Sequence, residues 1–356
     1  MTAKTKKKRS YTAPMIVLVT AILLYSTFST EDPASIWQTI SHSNLLWLGL
    51  AGVFYLLFWL GDAISLHLMV GQIAGTKIKF IESMRVAIVG TLFSCLTPSA
   101  TGGQPMQIIR LRKSGVSVGK STAIFTIRFI TYQLTIILMT AFLMIFRYRY
   151  FAGRVTNLQF LAIIGFVVCL LSVLALIVAS IFPKFTKKII SGLVKLLAGL
   201  RLIRHPKKML VRINYVIDDF SNWPTIVAKN KRILWQQCLI SFVQMAFYFM
   251  IGLFVFRAIS PEKVDLTLVM TAAAMVWMSS AFVPLPGGSG GAESSFLLFF
   301  GAVYHHSPLG AALLAWRSVT FYLPIVVGSA MLFAESRKKQ ASFWQRLLHR
   351  TSISEK

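Results

Sequence analysis

Two segments rich in proline and glycine interrupt the apolar runs of this 356-residue chain, about half a chain apart. TPSATGGQP occupies 97–105, and VPLPGGSGGAE occupies 283–293. Proline removes a backbone donor and glycine admits positive φ, so both segments break helices. Each lies between apolar stretches long enough to enter a bilayer, where broken backbone survives only if protein or a water-filled cavity satisfies it. The two segments therefore constrain the fold more than any other feature of the sequence.

Both segments follow the pattern Pro-x-x-x-Gly-Gly, formed by Pro98, Gly102, Gly103, Pro286, Gly290 and Gly291. Interrupted hydrophobic segments at corresponding positions of two halves point to the binding site of a transporter. The alternative is a pair of ordinary interhelical loops. If both segments are re-entrant hairpins that enter from opposite faces, they predict an inverted repeat with both glycine pairs near the midplane.

The composition indicates an integral membrane protein. The chain is 56% hydrophobic with a mean hydropathy of +0.68, too apolar for a soluble protein of this length. The polar region 183–232 is short for a catalytic fold. The three cysteines, which we interpret as packing residues because they show neither metal spacing nor a disulfide framework, are Cys95, Cys169 and Cys238. No cofactor or metal is expected.

The apolar runs predict an all-α integral membrane protein, a polytopic helical bundle with two re-entrant hairpins in an inverted repeat. The predicted membrane-crossing helices are 13–30, 44–70, 118–146, 157–182, 233–257 and 308–334. The predicted hairpins are 84–110 and 266–304, although the second segment could instead make two full crossings. The transmembrane domain would thus cover 13–335.

The net charge of +26 is concentrated in three basic regions, 1–12, 183–232 and 336–356. Because cytoplasmic segments are rich in Lys and Arg, all three regions and both termini are expected on the cytoplasmic side. The region 183–232 reads as one or two amphipathic helices at the interface, attracted to anionic lipid, with a solvated linker as the alternative. Nucleic-acid binding is not favoured, since no aromatic platform or RNA-binding module accompanies the charge.

Each glycine pair precedes a helical run, 104–113 or 292–304, and would lie at a helix N-terminus, which suits a phosphate. Arg128 and Arg317 each lie on the first long helix after a Pro/Gly segment. We expect them to line a cavity and to contact phosphate or pair with Glu293; a purely structural contact is the alternative. The predicted lipid- or phosphate-binding set is Pro98, Gly102, Gly103, Gln104, Arg128, Pro286, Gly290, Gly291, Glu293 and Arg317.

Other polar features are weaker indications of function. Asp62, with His67 five residues later, is expected to make a structural hydrogen bond. GVSVGKST at 115–122 resembles a phosphate-binding loop, but it is one residue too short between its glycines and no strand precedes it. No set of catalytic side chains was found, which argues against an enzyme.

The runs PLPGGSGGAESSF and LTPSATGGQPMQIIRLRKSG, with an arginine on the helix after each, resemble the lysylphosphatidylglycerol synthase transmembrane region, or flippase-like domain, family. The resemblance covers roughly residues 10–335. It implies a bacterial cytoplasmic membrane protein similar to the membrane half of the multiple peptide resistance factor. That half moves lysyl-phosphatidylglycerol to the outer leaflet, which confers resistance to cationic antibiotic peptides; a cytoplasmic domain makes this lipid from lysyl-tRNA.

The chain departs from this family pattern twice. It ends soon after its last predicted helix, without the synthase domain, and Ile127 stands where relatives often carry an acidic residue before the arginine. The expected function is therefore translocation of a phosphate-bearing phospholipid or glycolipid, with or without an aminoacyl group. One alternative is phosphatidylglycerol lysyltransferase activity, alone or with a separate synthase protein as partner, and another is a lipid-binding scaffold. Oligomerisation is left open.

Overall fold

The computed structural model describes residues 32–155, 158–199, 223–260, 265–280, 283–305 and 307–337, with isolated positions outside these ranges. The basic N-terminus 1–12, nearly all of the predicted helix 13–30, most of 200–222 and the tail after 337 lie outside the described residues.

The helices are α1 (Pro33–Ser41), α2 (Leu45–Met69), α3 (Phe80–Leu96), α4 (Gly103–Lys113), α5 (Val118–Ala152), α6 (Leu158–Ile181), α7 (Pro183–Gly199), α8 (Trp223–Lys229), α9 (Arg232–Ile259), α10 (Leu266–Ser280), α11 (Gly291–Gly301) and α12 (Leu309–Arg317). A π-helical turn, Val70–Ala74, extends α2. A second, Ser318–Tyr322, follows α12, and the helix then continues to Arg337. No strand occurs within these ranges, so the chain is an all-α protein as predicted.

Five described helices are long and apolar enough to cross a membrane: Leu45–Ala74, Val118–Ala152, Ile163–Ile181, Arg232–Ile259 and Leu309–Arg337. They match five of the six predicted crossings, and the sixth, 13–30, falls outside the described residues. The protein is thus a polytopic helical membrane protein.

Helix α5 runs six residues past its predicted end at 146. Charged residues end an apolar run without ending a helix, because Arg has a high helix propensity. Here Arg147 forms an ion pair with Asp265 and donates from Nε to the Thr267 hydroxyl at 2.7 Å. Hydrogen bonds from Thr267 to the Asp265 carboxylate lower the pKa of Asp265 below its ordinary value.

Helices α3 and α4 pack against each other as a first helical hairpin, and α10 and α11 as a second. The order long helix, hairpin, long helix occurs twice: α2, α3–α4, α5 and then α9, α10–α11, α12. The two leading helices, α2 and α9, lie side by side in the most extensive helix contact of the described chain. Gly61 permits this approach, since a Cβ there would lie 3.2 Å from the Gln244 Cβ. The two halves therefore face each other across the α2–α9 pair.

The hairpins are held by packing of different kinds. The second hairpin belongs to the largest apolar cluster, in which Phe256 of α9 stacks on Phe296, Phe300 and Tyr304. The first hairpin is instead held by ion pairs at the ends of its arms away from the tip. Arg110 of α4 donates to Glu82 of α3 at 2.8 Å and to Glu335, near the end of the last helix, at 2.7 Å. Both hairpins are thus fixed to long helices of the bundle, which positions the two connections between their arms.

The basic region begins with α7, which carries a strongly amphipathic pattern. Phe185, Ile189 and Leu196 are exposed on it. Lys187 forms an ion pair with Asp218 at 2.5 Å. The predicted helical character of 183–232 is confirmed for α7 and α8, while its place at the membrane surface stays a prediction.

Candidate functional site

The connections between the hairpin arms, 97–102 (the first tip) and 283–290 (the second tip), touch each other. An isolated antiparallel β-bridge pairs Pro98 with Pro286, the prolines that open the two predicted motifs. The two residues after each proline lie in the left-handed region of backbone space: Ser99 (φ 49°), Ala100 (φ 55°), Gly287 (φ 62°) and Gly288 (φ 65°). The two tips therefore share this conformation at the two positions after the proline, but they differ at their last residue, where φ is −82° for Gly102 and +81° for Gly290.

Hydrogen bonds within the tips repeat as well. The Pro98 carbonyl accepts from the backbone N–H and the hydroxyl of Thr101, at 3.1 and 2.9 Å. The Pro286 carbonyl accepts the same two bonds from Ser289, at 3.2 and 2.7 Å. Thr101 and Ser289 thus have a hydroxyl in common at this position of the motif. The two tips therefore repeat in their hydrogen bonds as well as in their sequence.

The glycine pairs lie at helix starts, as predicted: α4 begins at Gly103 and α11 at Gly291. A Cβ on Gly103 would lie 2.1 Å from the Ser94 hydroxyl and 2.8 Å from the Gly90 carbonyl, and one on Gly291 would lie 2.1 Å from a Val283 methyl. Gly103 therefore allows the arms of the first hairpin to meet, and Gly291 allows α11 to approach the start of the second tip. Their predicted contact with lipid stays a prediction.

Arg317 and Glu293 form a buried ion pair beneath the second tip. Their side chains are 5% and 0% exposed, and Nη2 of Arg317 lies 2.7 Å from Oε1 of Glu293. Nη1 of Arg317 donates to the Gly287 carbonyl at 3.2 Å, while Oε2 of Glu293 accepts the Gly290 N–H at 2.6 Å. Glu293 thus caps the start of α11, and the pair ties this helix start and the second tip to α12.

Arg317 keeps donors unused. Among the described residues, no acceptor is placed to hydrogen-bond its Nε or Nη2; the Nη2 contact with Glu293 is close, but it is not aligned as a hydrogen bond. The guanidinium also lies 5.1 Å from the Trp316 ring and 5.6 Å from the Phe321 ring. A buried arginine with free donors is suited to an anionic ligand.

Arg128 pairs with Asp62 rather than with Glu293. Its Nη2 contacts the Asp62 carboxylate and donates to the Asp62 carbonyl at 3.1 Å, and its Nε donates to the Ser65 hydroxyl at 2.8 Å. Ser65 in turn donates to Gln237 at 2.5 Å. Residues of α2, α5 and α9 are thereby joined in one polar chain. The pairing with Glu293 that was expected of the two arginines is made by Arg317 and not by Arg128. Contact of either arginine with phosphate stays a prediction.

The structural bond expected of Asp62 is present, but His67 takes no part in it. Five residues along an α-helix turn a side chain by about 140°, so Asp62 and His67 point in different directions. His67 Nδ1 lies 3.3 Å from the Ser83 hydroxyl of α3 instead. Spacing along the sequence could not reveal the Asp62 partner on α5.

One cavity of about 530 Å³ lies where these elements meet. Arg128, Arg317 and Gln104 of the predicted set line it. The tips contribute the positive-φ residues Ser99, Ala100, Gly287 and Gly288. Pro98, Pro286, Glu293 and the four paired glycines are not among its lining residues. The prediction therefore found the tips and the arginines, whereas the positive-φ residues that line the cavity lie between the predicted proline and the glycine pair of each motif.

The sequence held a further signal of the repeat around the two arginines. Arg128 opens RFITY and Arg317 opens RSVTF, so each is followed by threonine three residues later and then an aromatic residue. The hydroxyls of these threonines, Thr131 and Thr320, both donate to the carbonyl of the residue before the arginine, at 2.9 and 2.8 Å. Comparison of the two halves beyond the arginine would have found this match.

GVSVGKST at 115–122 contains the N-cap and the first turn of α5. The Ser117 side chain accepts the Lys120 N–H at 3.3 Å and caps the helix, and the Lys120 ammonium donates to the Ala74 carbonyl at 3.1 Å. Its likeness to a phosphate-binding loop is therefore explained by helix capping.

Apolar helices, two helical hairpins with touching tips and two arginines on one internal cavity define a class: a polytopic membrane protein with a paired-hairpin cavity. The family model of the lysylphosphatidylglycerol synthase transmembrane region matches residues 15–328, and the chain belongs to this family. A UPF0104 membrane protein of Archaeoglobus fulgidus is 31% identical over 108 residues. This match covers 30% of the present chain and 31% of the relative.

Proposed function

We propose that this protein moves a phosphate-bearing lipid across a bacterial cytoplasmic membrane, with the headgroup passing through the cavity between the hairpin tips. Phosphatidylglycerol, its lysyl ester, phosphate-bearing glycolipids and polyprenyl phosphates all present this chemistry. The observation that carries the proposal is the convergence of Arg128 and Arg317 on one cavity, with two donors of buried Arg317 unused.

Guanidinium chemistry supports a phosphate ligand. The planar edge formed by Nε and Nη2 of arginine matches two phosphate oxygens, and such charge-assisted bonds are stronger than neutral ones. Helices α4 and α11 begin at the tips, so their N-terminal partial charges add to the attraction for an anion. The volume suits a headgroup, since ligand pockets commonly enclose a few hundred cubic ångströms. The acyl chains would stay in the bilayer.

Helix lengths support re-entrant hairpins. With 11 residues each, α4 and α11 rise only about 16 Å, near half of the hydrocarbon thickness. Each hairpin would then turn within the membrane, and opposite entry of the two would place the touching tips near its centre. Rocking of the two halves about a fixed central site is the usual consequence of such a repeat. Both termini would be cytoplasmic.

The test is lipid transport in proteoliposomes. Acyl-labelled phosphatidylglycerol, lysyl-phosphatidylglycerol and a labelled polyprenyl phosphate are followed to the opposite leaflet, with the wild type and with protein-free vesicles. The cavity variant is Arg317→Gln with Glu293→Gln, which removes the charge pair without leaving a buried unpaired charge. The matched control is Arg147→Gln with Asp265→Asn, which removes an ion pair outside the cavity.

We expect the wild type to move at least one of these lipids, the cavity variant to lose that movement, and the control to keep it. A folded wild type that moves none of the three and neither phosphatidylethanolamine nor phosphatidylcholine, or a cavity variant with wild-type rates, would overturn the proposal. Addition of lysyl-tRNA to the same vesicles examines the enzymatic alternative, because lysyl-lipid made by this chain alone would contradict a purely transporting role.

A further inference from the structure

The cavity has a second chemical feature, a wall of aromatic rings. Five contiguous aromatic residues line it: Tyr55, Phe58, Tyr132, Tyr248 and Trp277. Ring centroids lie 5.4 Å apart between Phe58 and Tyr248, 4.8 Å between Tyr248 and Trp277, and 6.2 Å between Tyr132 and Trp277. The rings come from α2, α5, α9 and α10, so both halves of the chain build this wall.

An acidic group shares the same cavity. Asp62 lines it together with the rings, two turns along α2 from Tyr55. The face of an aromatic ring carries partial negative charge and attracts a cation within about 6 Å of its centroid. A wall of rings beside a carboxylate is therefore suited to a positively charged group, most of all to an ammonium.

The charge of the cavity also favours a ligand that brings its own cation. The charged side chains that line it in the described chain are Asp62, Arg128 and Arg317. Glu293 lies directly behind Arg317, so each arginine already has a carboxylate partner and the four charges cancel. A lone phosphate would add a net negative charge beside the buried Arg317–Glu293 pair, where an uncompensated charge is costly. A phosphate joined to an ammonium adds no net charge.

We propose that the cavity selects a zwitterionic headgroup, in which the phosphate lies on the arginines and the ammonium lies against the aromatic wall. This inference rests on the proposed function and names its cargo class: a phospholipid of the ethanolamine or choline type, with no net charge. The aromatic wall is then the part of the cavity that determines specificity.

Transport of four acyl-labelled lipids tests the inference: phosphatidylethanolamine, phosphatidylcholine, phosphatidylglycerol and lysyl-phosphatidylglycerol. We expect the two zwitterions to move about tenfold faster than phosphatidylglycerol, the size of effect that a desolvated cation–π contact supports. Trp277→Leu keeps apolar volume but removes a ring, and should bring the zwitterion rates down towards that of phosphatidylglycerol while leaving the latter unchanged. Trp277→Phe should retain most of the preference.

The control is Trp235→Leu, which removes an exposed tryptophan from the outer surface of α9 and should change no rate. Phe58→Leu serves as a second variant of the wall if Trp277→Leu does not fold. Equal rates for phosphatidylglycerol and the zwitterions, the fastest rate for lysyl-phosphatidylglycerol, or an equal fall of all rates in the wall variant would each overturn the inference while the transport proposal stands.

A binding measurement separates this inference from the transport proposal. Glycerophosphoethanolamine and glycerophosphoglycerol are soluble headgroups that can be added to the full protein in detergent, and the shift in its melting temperature is recorded. We expect a larger stabilisation from the ethanolamine compound in the wild type and not in Trp277→Leu. If no lipid moves in vesicles but this difference is present, transport fails and the headgroup assignment holds. Equal shifts overturn the assignment.

Discussion

Arg317 and Glu293 have a structural effect that can be separated from any effect on a ligand. The pair is buried and joins the start of α11 and the second tip to α12. A buried ion pair adds little stability over an apolar replacement, but the loss of one partner leaves an uncompensated charge. Single and double substitutions of this pair should therefore differ in the size of their effect on stability and agree in their effect on transport.

Arg317→Gln alone should destabilise the protein by about 3–5 kcal/mol, because Glu293 is left buried without a partner. Adding Glu293→Gln should restore most of that loss. Chemical or thermal unfolding in detergent measures both effects, with Arg147→Gln as the exposed comparison, which should cost about 1 kcal/mol or less. An Arg317→Gln single variant as stable as the wild type would contradict the description of this pair as buried and coupled.

The positive φ angles of the tips lead to opposite outcomes in the two halves. Gly288→Ala should cost about 1–2 kcal/mol, since φ is +65° and a Cβ would lie 3.3 Å from the Ser280 carbonyl. Ala100→Gly in the first tip should be neutral or slightly stabilising, because glycine adopts this conformation without strain.

Gly115→Ala is the control for Gly288→Ala. The φ of Gly115 is also positive, at +90°, but no atom lies within 4 Å of the added Cβ. Its loss of stability therefore measures the cost of the positive φ alone, without a steric clash. If Gly288→Ala unfolds at the wild-type temperature in detergent, the shared tip conformation is not the one described.

At the scale of elements, the apolar runs predicted the long helices well because a membrane helix needs only length and hydropathy. The arms of the hairpins were harder to predict. Helices α3 and α10 are too short to stand out as crossings, and the tip pattern was what identified them. The end of α4 at Lys113 agrees with the predicted run 104–113. Helix α5 instead continues past 146, where Arg147 pairs with Asp265, a residue far away in sequence that no local pattern reveals.

The close approach of the hairpin arms predicts sensitivity at the first glycine of α4. Gly103→Ala should destabilise the protein by about 1–3 kcal/mol through overpacking, since the Gly90 carbonyl is backbone and cannot move aside without distorting α3. Gly49→Ala on α2 is the matched control, with no atom within 4 Å, and should be neutral or stabilising because alanine favours helix. Equal melting temperatures of the two variants would show that the arms are not in contact at Gly103.

For the whole molecule, the sequence predicted the repeat and the two arginines but not the composition of the cavity. Asp62 and Arg128 come from different helices of the first half, and Tyr55 and Trp277 come from different halves. The aromatic side chains read as ordinary core residues until the packing of α2 against α9 brings them together, and the pairing of Asp62 with Arg128 could not be read from sequence spacing. The paired motifs were readable because each is local, whereas the aromatic wall depends on contacts between distant segments.

The central claim is that the two hairpins enter from opposite faces and meet in the middle of the membrane. The most direct test is to measure from which side of the membrane the ends of each hairpin are accessible. In a variant with Cys95, Cys169 and Cys238 replaced by alanine, single cysteines are placed at Thr76, Ser114, Leu266 and His305 and labelled from either side with a membrane-impermeant reagent. We predict that Thr76→Cys and Ser114→Cys react only from the cytoplasmic side, and that Leu266→Cys and His305→Cys react only from the opposite side. Labelling of the two ends of one hairpin from opposite sides would contradict the account, because that hairpin would then cross the membrane instead of turning within it.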